Sequence, residues 1–465
     1  MPQETVDVIV VGAGQGGGPL ASAFAKAGRK TMLIERAHAG GTCVNTGCTP
    51  TKTMIASGRV AYLAQRAADY GVHVGDISID MERVRKRKRD MVEMFREGSE
   101  SGITSTEGLE YFEGEARFVD DMTLEVALND GGSRTVTAGT IVLNVGERPR
   151  ELGIDIPAGV TVLDSTSVME LAEAPDHLVV VGGGVIGVEF AQLFRRLGSG
   201  VTILQRGGKL LAREDPEISD AVATILTEDG ITIEFDASVV ALSRSGSGVD
   251  VAVERKDGFS FTVKGSDILA AAGRTPNTDS LNLAATGLKT DERGYLETDD
   301  RLQTDVAGIF AIGDIRPGPK FTHISYDDYR IIQANLIEDG NRSVNDRPVP
   351  YTVFMDPQLG RVGMSEQEAK EQGVPFRVAE IQMSSVARAL ETDETRGMMK
   401  AIVHAETRMI LGAAVLGIEG GEVMSMIQIA MMGDLPYTRL REGVFAHPNL
   451  SEALNSLFGS FREET

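Results

Sequence analysis

The segment DVIVVGAGQGGGPLASAFAKAGRKTMLIER (residues 7–36) aligns without a gap on HLVVVGGGVIGVEFAQLFRRLGSGVTILQR (residues 177–206). A chain that repeats itself this way must build one supersecondary unit twice. Each copy opens on an apolar run suited to a strand buried on both faces and turns at Gly-x-Gly-x-x-Gly. It continues with helical periodicity, stops at Gly28 or Gly198, and enters a second apolar run. The expected unit is strand, helix, parallel strand.

The glycines give that unit a purpose. Gly12 and Gly182 permit the tight turn, Gly14 and Gly184 let backbone approach a pyrophosphate, and Gly17 and Gly187 allow close helix packing. One such motif is weak; two in register, each after a strand and before a helix, are strong. Glycine turns without a ligand are the rival reading. IVLNVGERP (141–149) and ILAAAGRTP (268–276) echo each other too, running from an apolar strand into turns at Gly146 and Gly273. TDVAGIFAIGD (304–314) then supplies a further strand ending in Asp314, after the second lobe is complete.

The first lobe therefore reads as discontinuous, residues 1–149 and 276–344, interrupted by the second at 150–275. From residue 345 to 465 the fingerprints cease, and short strands (PYTVF, MKAIVHA, MILGAAVLG) mix with amphipathic helices. The expected fold class is α/β, two Rossmann-like nucleotide-binding domains followed by a C-terminal α+β domain.

Composition narrows the partners. A formal net charge of -22 repels phosphate backbones and anionic lipid, so neither nucleic acid nor membrane is expected. The basic run RVRKRKRD (83–90) lies in a helical pattern and reads as a solvated face. The N-terminal apolar run is short, lacks a basic leader and ends in glycines, so a cytoplasmic protein is expected. The methionines of MSMIQIAMM (424–432) sit at helical spacing and read as core or subunit contact, ahead of metal ligation.

Glu35 ends the second strand of the first copy, where an acidic side chain can accept hydrogen bonds from an adenosine ribose. Its counterpart is Gln205, which lacks the charge and is followed by Arg206, with Lys209 and Arg213 nearby. A 2′-phosphate would be attracted there, so NADPH is expected and NADH is the alternative.

The chain holds two cysteines, both in GGTCVNTGCTPTK (40–52), directly after the first repeat. In a regular helix they would stand about 7.5 Å apart along the axis, beyond disulfide reach, so a usable pair requires a distorted turn. Gly47 and Pro50 supply the means. Two inert thiols, or half a zinc site, are the other readings.

The motifs GAGQGG, GGTCVNTGC, GGGVIGVEF, AAGRTPN, IFAIGD and HPNLSEA together resemble the class I pyridine nucleotide-disulfide oxidoreductases, and the resemblance spans essentially the whole chain. The segments FTHISYDDYR (321–330) and VARALETDETRGMMKAIV (386–403) look closest to the branch of mercuric reductases and reactive-chlorine-responsive copper(II) reductases. The resemblance implies FAD in the first lobe, a nicotinamide nucleotide in the second, and a C-terminal dimerisation domain. It implies that Cys48 is the flavin-proximal thiol of a redox-active disulfide and Cys43 the interchange thiol. Lys52 and Glu189 match the pair beside the flavin N5, Asp314 the residue that holds the ribityl chain, and Ala116 a backbone contact to adenine. Gly41, Thr42, Gly146 and Gly273 match further cofactor contacts. His447 and Glu452 resemble an acid-base dyad contributed by the other subunit of a homodimer.

The implied function is electron transfer from NAD(P)H through FAD and the Cys43–Cys48 pair to a small-molecule disulfide or soft metal ion, with no resident metal. Dihydrolipoamide dehydrogenase is the alternative, and a flavin-binding assembly protein without turnover is an alternative of another class. Asn144 and Val145 depart from the family's usual Ala-Thr, and Thr46 and Thr49 replace common aliphatic residues. These departures imply a more polar pocket. The chain ends FREET, without the C-terminal cysteine pair of mercuric reductases.

Overall fold

The computed structural model describes residues 4–463, which gather into two compact units. The first comprises the chain to Met54, Glu82–Arg150 and Gly273–Arg347. Its sheet is centred on Glu4–Val11, parallel to Thr31–Glu35 on one side (Val8↔Thr31) and to Ser133–Leu143 on the other (Val11↔Leu143). Ile309–Ala311 adds a further parallel strand, with Ile309 opposite Ile141.

Successive side chains of a strand point to opposite faces. Val8 and Val10 pack with Leu20, Phe24 and Ile331, whereas Ile9 and Val11 pack with Met32, Ile141 and Leu281. Both faces are buried, so the strand appears in the sequence as an unbroken apolar run rather than an alternation. Leu109–Asp120 pairs parallel with Thr31–Glu35 and antiparallel with Thr123–Leu128, which returns to Ser133–Leu143. The two Gly-x-x-Pro turns meet each other, Glu147–Pro149 pairing antiparallel with Arg274–Pro276.

The second unit comprises Ile55–Met81, Glu151–Ala272 and Pro348 onward. The second repeat builds a parallel sheet in the order Thr232–Glu234, Gly200–Leu204, His177–Val181, Asp267–Ala270, Val162–Leu163. A three-stranded antiparallel sheet, Ala237–Ser245, Gly248–Arg255 and Ser260–Gly265, is inserted before its last long strand. Beyond residue 350 a separate antiparallel sheet runs Tyr351–Val353, Gln358–Gly363, Ile410–Gly417, Met398–His404, Phe376–Gln382. This is the mixed α/β architecture expected from the repeat.

Helix Gly420–Met432 covers that last sheet through Val423, Met424 and Ile427, while Met426, Ile429 and Met432 face outward. The methionine run thus divides between core and an exposed apolar stripe. The basic run differs from expectation in part. On helix Met81–Thr104, Lys86 pairs with Asp90 (2.7 Å) at the surface, but Lys88 is only 4% exposed and Arg87 donates to Thr53 O (2.6 Å). Its cations anchor the helix as well as solvate it. Among the described residues no helix is long and apolar enough to cross a membrane.

Candidate active site

The two glycine loops repeat in atomic detail. Gly12 N–H donates to Ile34 O (2.7 Å) and Ala13 N–H to Glu35 Oε2 (2.8 Å). In the second copy Gly182 N–H donates to Leu204 O (2.9 Å) and Gly183 N–H to Gln205 Oε1 (2.9 Å). A Cβ on Gly12 would stand 2.3 Å from Asn144 O, and one on Gly182 2.4 Å from Ala271 O. A Cβ on Gly17 would meet Gly12 O at 2.0 Å, and one on Gly187 would meet Gly182 O at 1.9 Å. Glycine is enforced at these positions by backbone packed against backbone.

The loops fit the dinucleotides that the motif implies. Among the described residues, the N–H groups of Gly14, Gln15 and Gly16 donate to no protein acceptor, at the start of helix Gly17–Lys26. Gly184 has open space where a side chain would stand. Unpaired donors at a helix N-terminus, beside a surface cleared of side chains, are what a pyrophosphate needs. Glu35 is buried and accepts from Ala13 and Ala37 N–H (2.8 and 2.9 Å), with lone pairs remaining for ribose hydroxyls.

Gln205 uses its amide differently, donating Nε2 to Lys209 O (3.0 Å). A glutamate there would set a carboxylate oxygen against that carbonyl. Lys209 itself is occupied, its ammonium donating to Glu214 O (2.6 Å), while Arg206 and Arg213 are exposed.

The cysteine segment is hooked onto the first loop. Gly40 N–H donates to Ala13 O (2.9 Å), Gln15 Nε2 donates to Gly40 O (3.2 Å), and a Cβ on Gly41 would lie 2.8 Å from Gly14 Cα. The chain then forms a short helix, Gly41–Asn45, breaks at Thr46 (φ -141°), and starts helix Cys48–Gln65. The distortion required by the cysteine spacing is this break. Cys43 lies in the first helix, half-buried, and Cys48 is the exposed first residue of the second; Thr42 is exposed.

Both cysteines are thiols here. The Cys43 proton is held well above the usual thiol range, first by its hydrogen bond with Cys48, then by burial and the neighbouring Cys48 charge. Thr322 and Lys52 act the other way, and Thr322 Oγ1 lies 3.3 Å from Cys48 Sγ. Lys52 follows Cys48 by one helical turn. The pair thus resists carrying two negative charges at once.

Asp314 lies in a short turn after Ile309–Ala311, where burial and the adjacent Glu147 push it up to about 6. Glu147 is only 4% exposed; Tyr295 OH donates to it (2.8 Å), and Arg274 (3.4 Å) and Lys320 (3.7 Å) neutralise it. This second buried carboxylate lies in GERP, which in sequence shows only a turn. Its only signal was an acid placed directly after an apolar strand and a glycine.

The remaining residues are placed as follows. Ala116 is buried in strand Leu109–Asp120, opposite Val126. Gly146 and Gly273 both adopt positive φ (+65° and +114°) at the paired turns. Glu189 is not a solvated helix residue: it is 2% exposed and accepts from Phe354 N–H (2.8 Å). His447 Nδ1 and Glu452 Oε2 are 2.9 Å apart, with the imidazole largely exposed. Asn144, which the sequence suggested would add polarity to a pocket, is instead buried. Its Oδ1 accepts from Gly17 N–H (2.9 Å) and its Nδ2 donates to Ile312 O (3.0 Å). No group of three or more His, Cys, Asp or Glu side chains suited to a metal occurs among the described residues.

Comparison with known proteins agrees with this construction. Residues 6–328 match the family described as pyridine nucleotide-disulphide oxidoreductase, and residues 349–458 match its dimerisation domain. The chain is 38% identical over 456 residues to the probable pyridine nucleotide-disulfide oxidoreductase RclA of Escherichia coli, covering 97% of this chain and 98% of that protein. The RclA structure described as a Cu(II) complex of an HOCl-induced flavoprotein disulfide reductase superposes with a TM-score of 0.88 at 36% identity, over 99% of each chain. A mercuric reductase of Bacillus cereus is 34% identical over 96% of this chain and 70% of its own length. A dihydrolipoyl dehydrogenase of Geobacillus stearothermophilus is 32% identical over 96% of this chain and 94% of its own.

Proposed function

Since this chain belongs to the pyridine nucleotide-disulphide oxidoreductase family, we propose that its Cys43–Cys48 pair delivers electrons from NADPH to a disulfide or a soft metal ion. The observation that carries the reading is the cysteine segment hooked directly to the first glycine loop, through Gly40, Gly41 and Gln15. FAD, when bound, supplies the two-electron step between nicotinamide and sulfur. Gly12, Gly14 and Gly17 would admit its pyrophosphate, Glu35 would take its ribose and Asp314 would hold its ribityl chain, while Lys52 and Glu189 match the residues that would serve its reacting edge.

Two electrons and one proton open the Cys43–Cys48 disulfide to a Cys43 thiol and a Cys48 thiolate. Cys48 keeps the negative charge, and Cys43, once its proton is removed, attacks an acceptor disulfide or coordinates the metal. Attack on a disulfide gives a mixed disulfide at Cys43, which Cys48 resolves, releasing the reduced product and restoring the pair. The proton from Cys43 goes to His447 of a second copy, with Glu452 orienting the imidazole. Soft metal ions suit the same sulfurs, and RclA and mercuric reductase support that acceptor class.

NADPH over NADH rests on Gln205, whose amide donor faces Lys209 O, and on exposed Arg206 and Arg213 for the 2′-phosphate. Two thiols that must cycle reversibly suit a reducing, cytoplasmic compartment. The test is anaerobic reduction of the flavin by NADPH or NADH, then re-oxidation by oxidised lipoamide, glutathione disulfide, Cu(II) or Hg(II). Cys43→Ser and Cys48→Ser should each abolish re-oxidation while keeping flavin bound. Turnover with both variants intact refutes the scheme, and oxidised lipoamide with NADH as the preferred pair would make the chain a dihydrolipoamide dehydrogenase.

A further inference from the structure

The two repeats agree in backbone and differ in one buried side chain. Asn144 and Ala271 hold the same place: Asn144 N–H donates to Val11 O (2.7 Å), Ala271 N–H to Val181 O (2.8 Å), and each carbonyl abuts the first glycine of its loop. Alanine reaches nothing further. Asn144 spans two segments, accepting from Gly17 N–H at the start of the first phosphate-facing helix and donating to Ile312 O (2.9 and 3.0 Å). It also lies 3.4 Å from Ser325 Oγ.

The C=O of Ile312 and the N–H of Gly313 belong to one peptide group. Asn144 grips the carbonyl side, and Gly313 N–H donates to Asp328 Oδ2 (2.8 Å) on the other. Asp328 is fully buried, and its charge is met by Arg316 (3.1 Å) and Arg347 (2.8 Å). A flip of that peptide would break both bonds at once. Gly313 has φ +70°, and a Cβ there would lie 2.6 Å from Ser325 Oγ and 2.8 Å from Asn144 Nδ2. The residue that follows is Asp314.

We propose that Asn144 and Asp328 are positioning residues for the flavin. Together they fix the peptide that aims Asp314, and Asn144 ties that turn to the pyrophosphate loop, so both halves of the cofactor are held in one register. This rests on the reading above that Asp314 faces the ribityl chain. The polarity of Asn144 is dictated: a carbonyl must meet Gly17 N–H and an amide must meet Ile312 O. Only the flavin-binding copy of the repeat carries the brace.

The experiment compares holoenzyme of the full chain with Asn144→Ala, Asn144→Asp, Asp328→Asn and Asp314→Ala. Asn144→Ala is already tolerated in form, since the second copy has alanine at that place. Flavin affinity is read by the fluorescence of released FAD, alongside the visible spectrum and the reduction potential of what stays bound. Loss of two hydrogen bonds should weaken FAD about tenfold or more in Asn144→Ala, and at least as much in Asn144→Asp, which keeps the acceptor and loses the donor. The spectrum and potential should shift, which a general loss of stability would not produce. NADPH affinity, measured at the second lobe, should stay unchanged.

If Asp314→Ala loses flavin while Asn144→Ala and Asp328→Asn hold it with wild-type affinity, spectrum and potential, the brace is overturned and the reading of Asp314 stands. If Asp314→Ala binds as tightly as the wild type, the reading of Asp314 falls, and with it the route from Asn144 and Asp328 to the cofactor. Should Asp328→Asn fail to fold, Asn144→Ala still decides.

Discussion

Asp314 shows how far one side chain can be read from its neighbours in sequence. Its place after IFAIG was legible, and its electrostatics were not, because they depend on Glu147 and Arg274, remote in the chain, as well as on the nearer Lys320. A carboxyl raised from 3.8 to about 6 contributes its stability in the protonated form, fully below the unfolded value, and loses it as pH climbs through 6. In protein stripped of flavin, Asp314→Asn should therefore resist urea better than the parent at pH 7, by up to about 3 kcal/mol. That gain should vanish near pH 4, and an equal gain at both pH values would contradict the assigned ionisation. Thr322 makes a second residue-scale case. Its hydroxyl favours ionisation at the thiols, so in Thr322→Val the pH profile of iodoacetamide alkylation should move up by about one unit. An unmoved profile would show that the 3.3 Å contact with Cys48 carries no charge stabilisation.

At the scale of elements, the glycine fingerprints predicted strand, turn and helix because each glycine answers a backbone clash that no other residue avoids. Gly187→Ala places a methyl 1.9 Å from Gly182 O, so the helix Val185–Arg196 must move away from its strand. Nicotinamide nucleotide binding should fall below detection by calorimetry in that variant, with flavin retained; unaltered nucleotide affinity would sink the assignment of the second loop. The cysteine spacing likewise announced a broken helix, and the break at Thr46 supplies it. Asn144 serves the interior of the first lobe rather than a pocket. Its partners Gly17 and Ile312 lie 127 and 168 residues away, and nothing local in LNVG reveals an amide turned inward to meet them.

Across the whole molecule, the six motifs in order fixed the family, while the ionic interior of the second unit left no trace in them. Lys400 is 1% exposed and meets Asp215 (3.1 Å), Glu217 (3.2 Å) and Glu366 (2.7 Å), and Arg361 joins the same group through Asp215 (3.9 Å). A lysine inside a strand reads as surface until its acidic partners, Asp215 and Glu217 from one segment and Glu366 from another, are brought to it. Lys400→Met should cost roughly 3–5 kcal/mol in chemical denaturation, since it takes the nearest cation from the buried Asp215. A loss within error would mean that water already neutralises the site. The dimer proposal has its own test: mixing subunits of Cys43→Ser with subunits of His447→Ala should restore part of the turnover that neither variant has alone, and continued silence would place the dyad elsewhere.

The contact between Gly41 and Gly14 leaves no room for a side chain at position 41, where a Cβ would lie 2.8 Å from Gly14 Cα. Any residue other than glycine there would push the segment that carries both sulfurs away from the loop it is seated on.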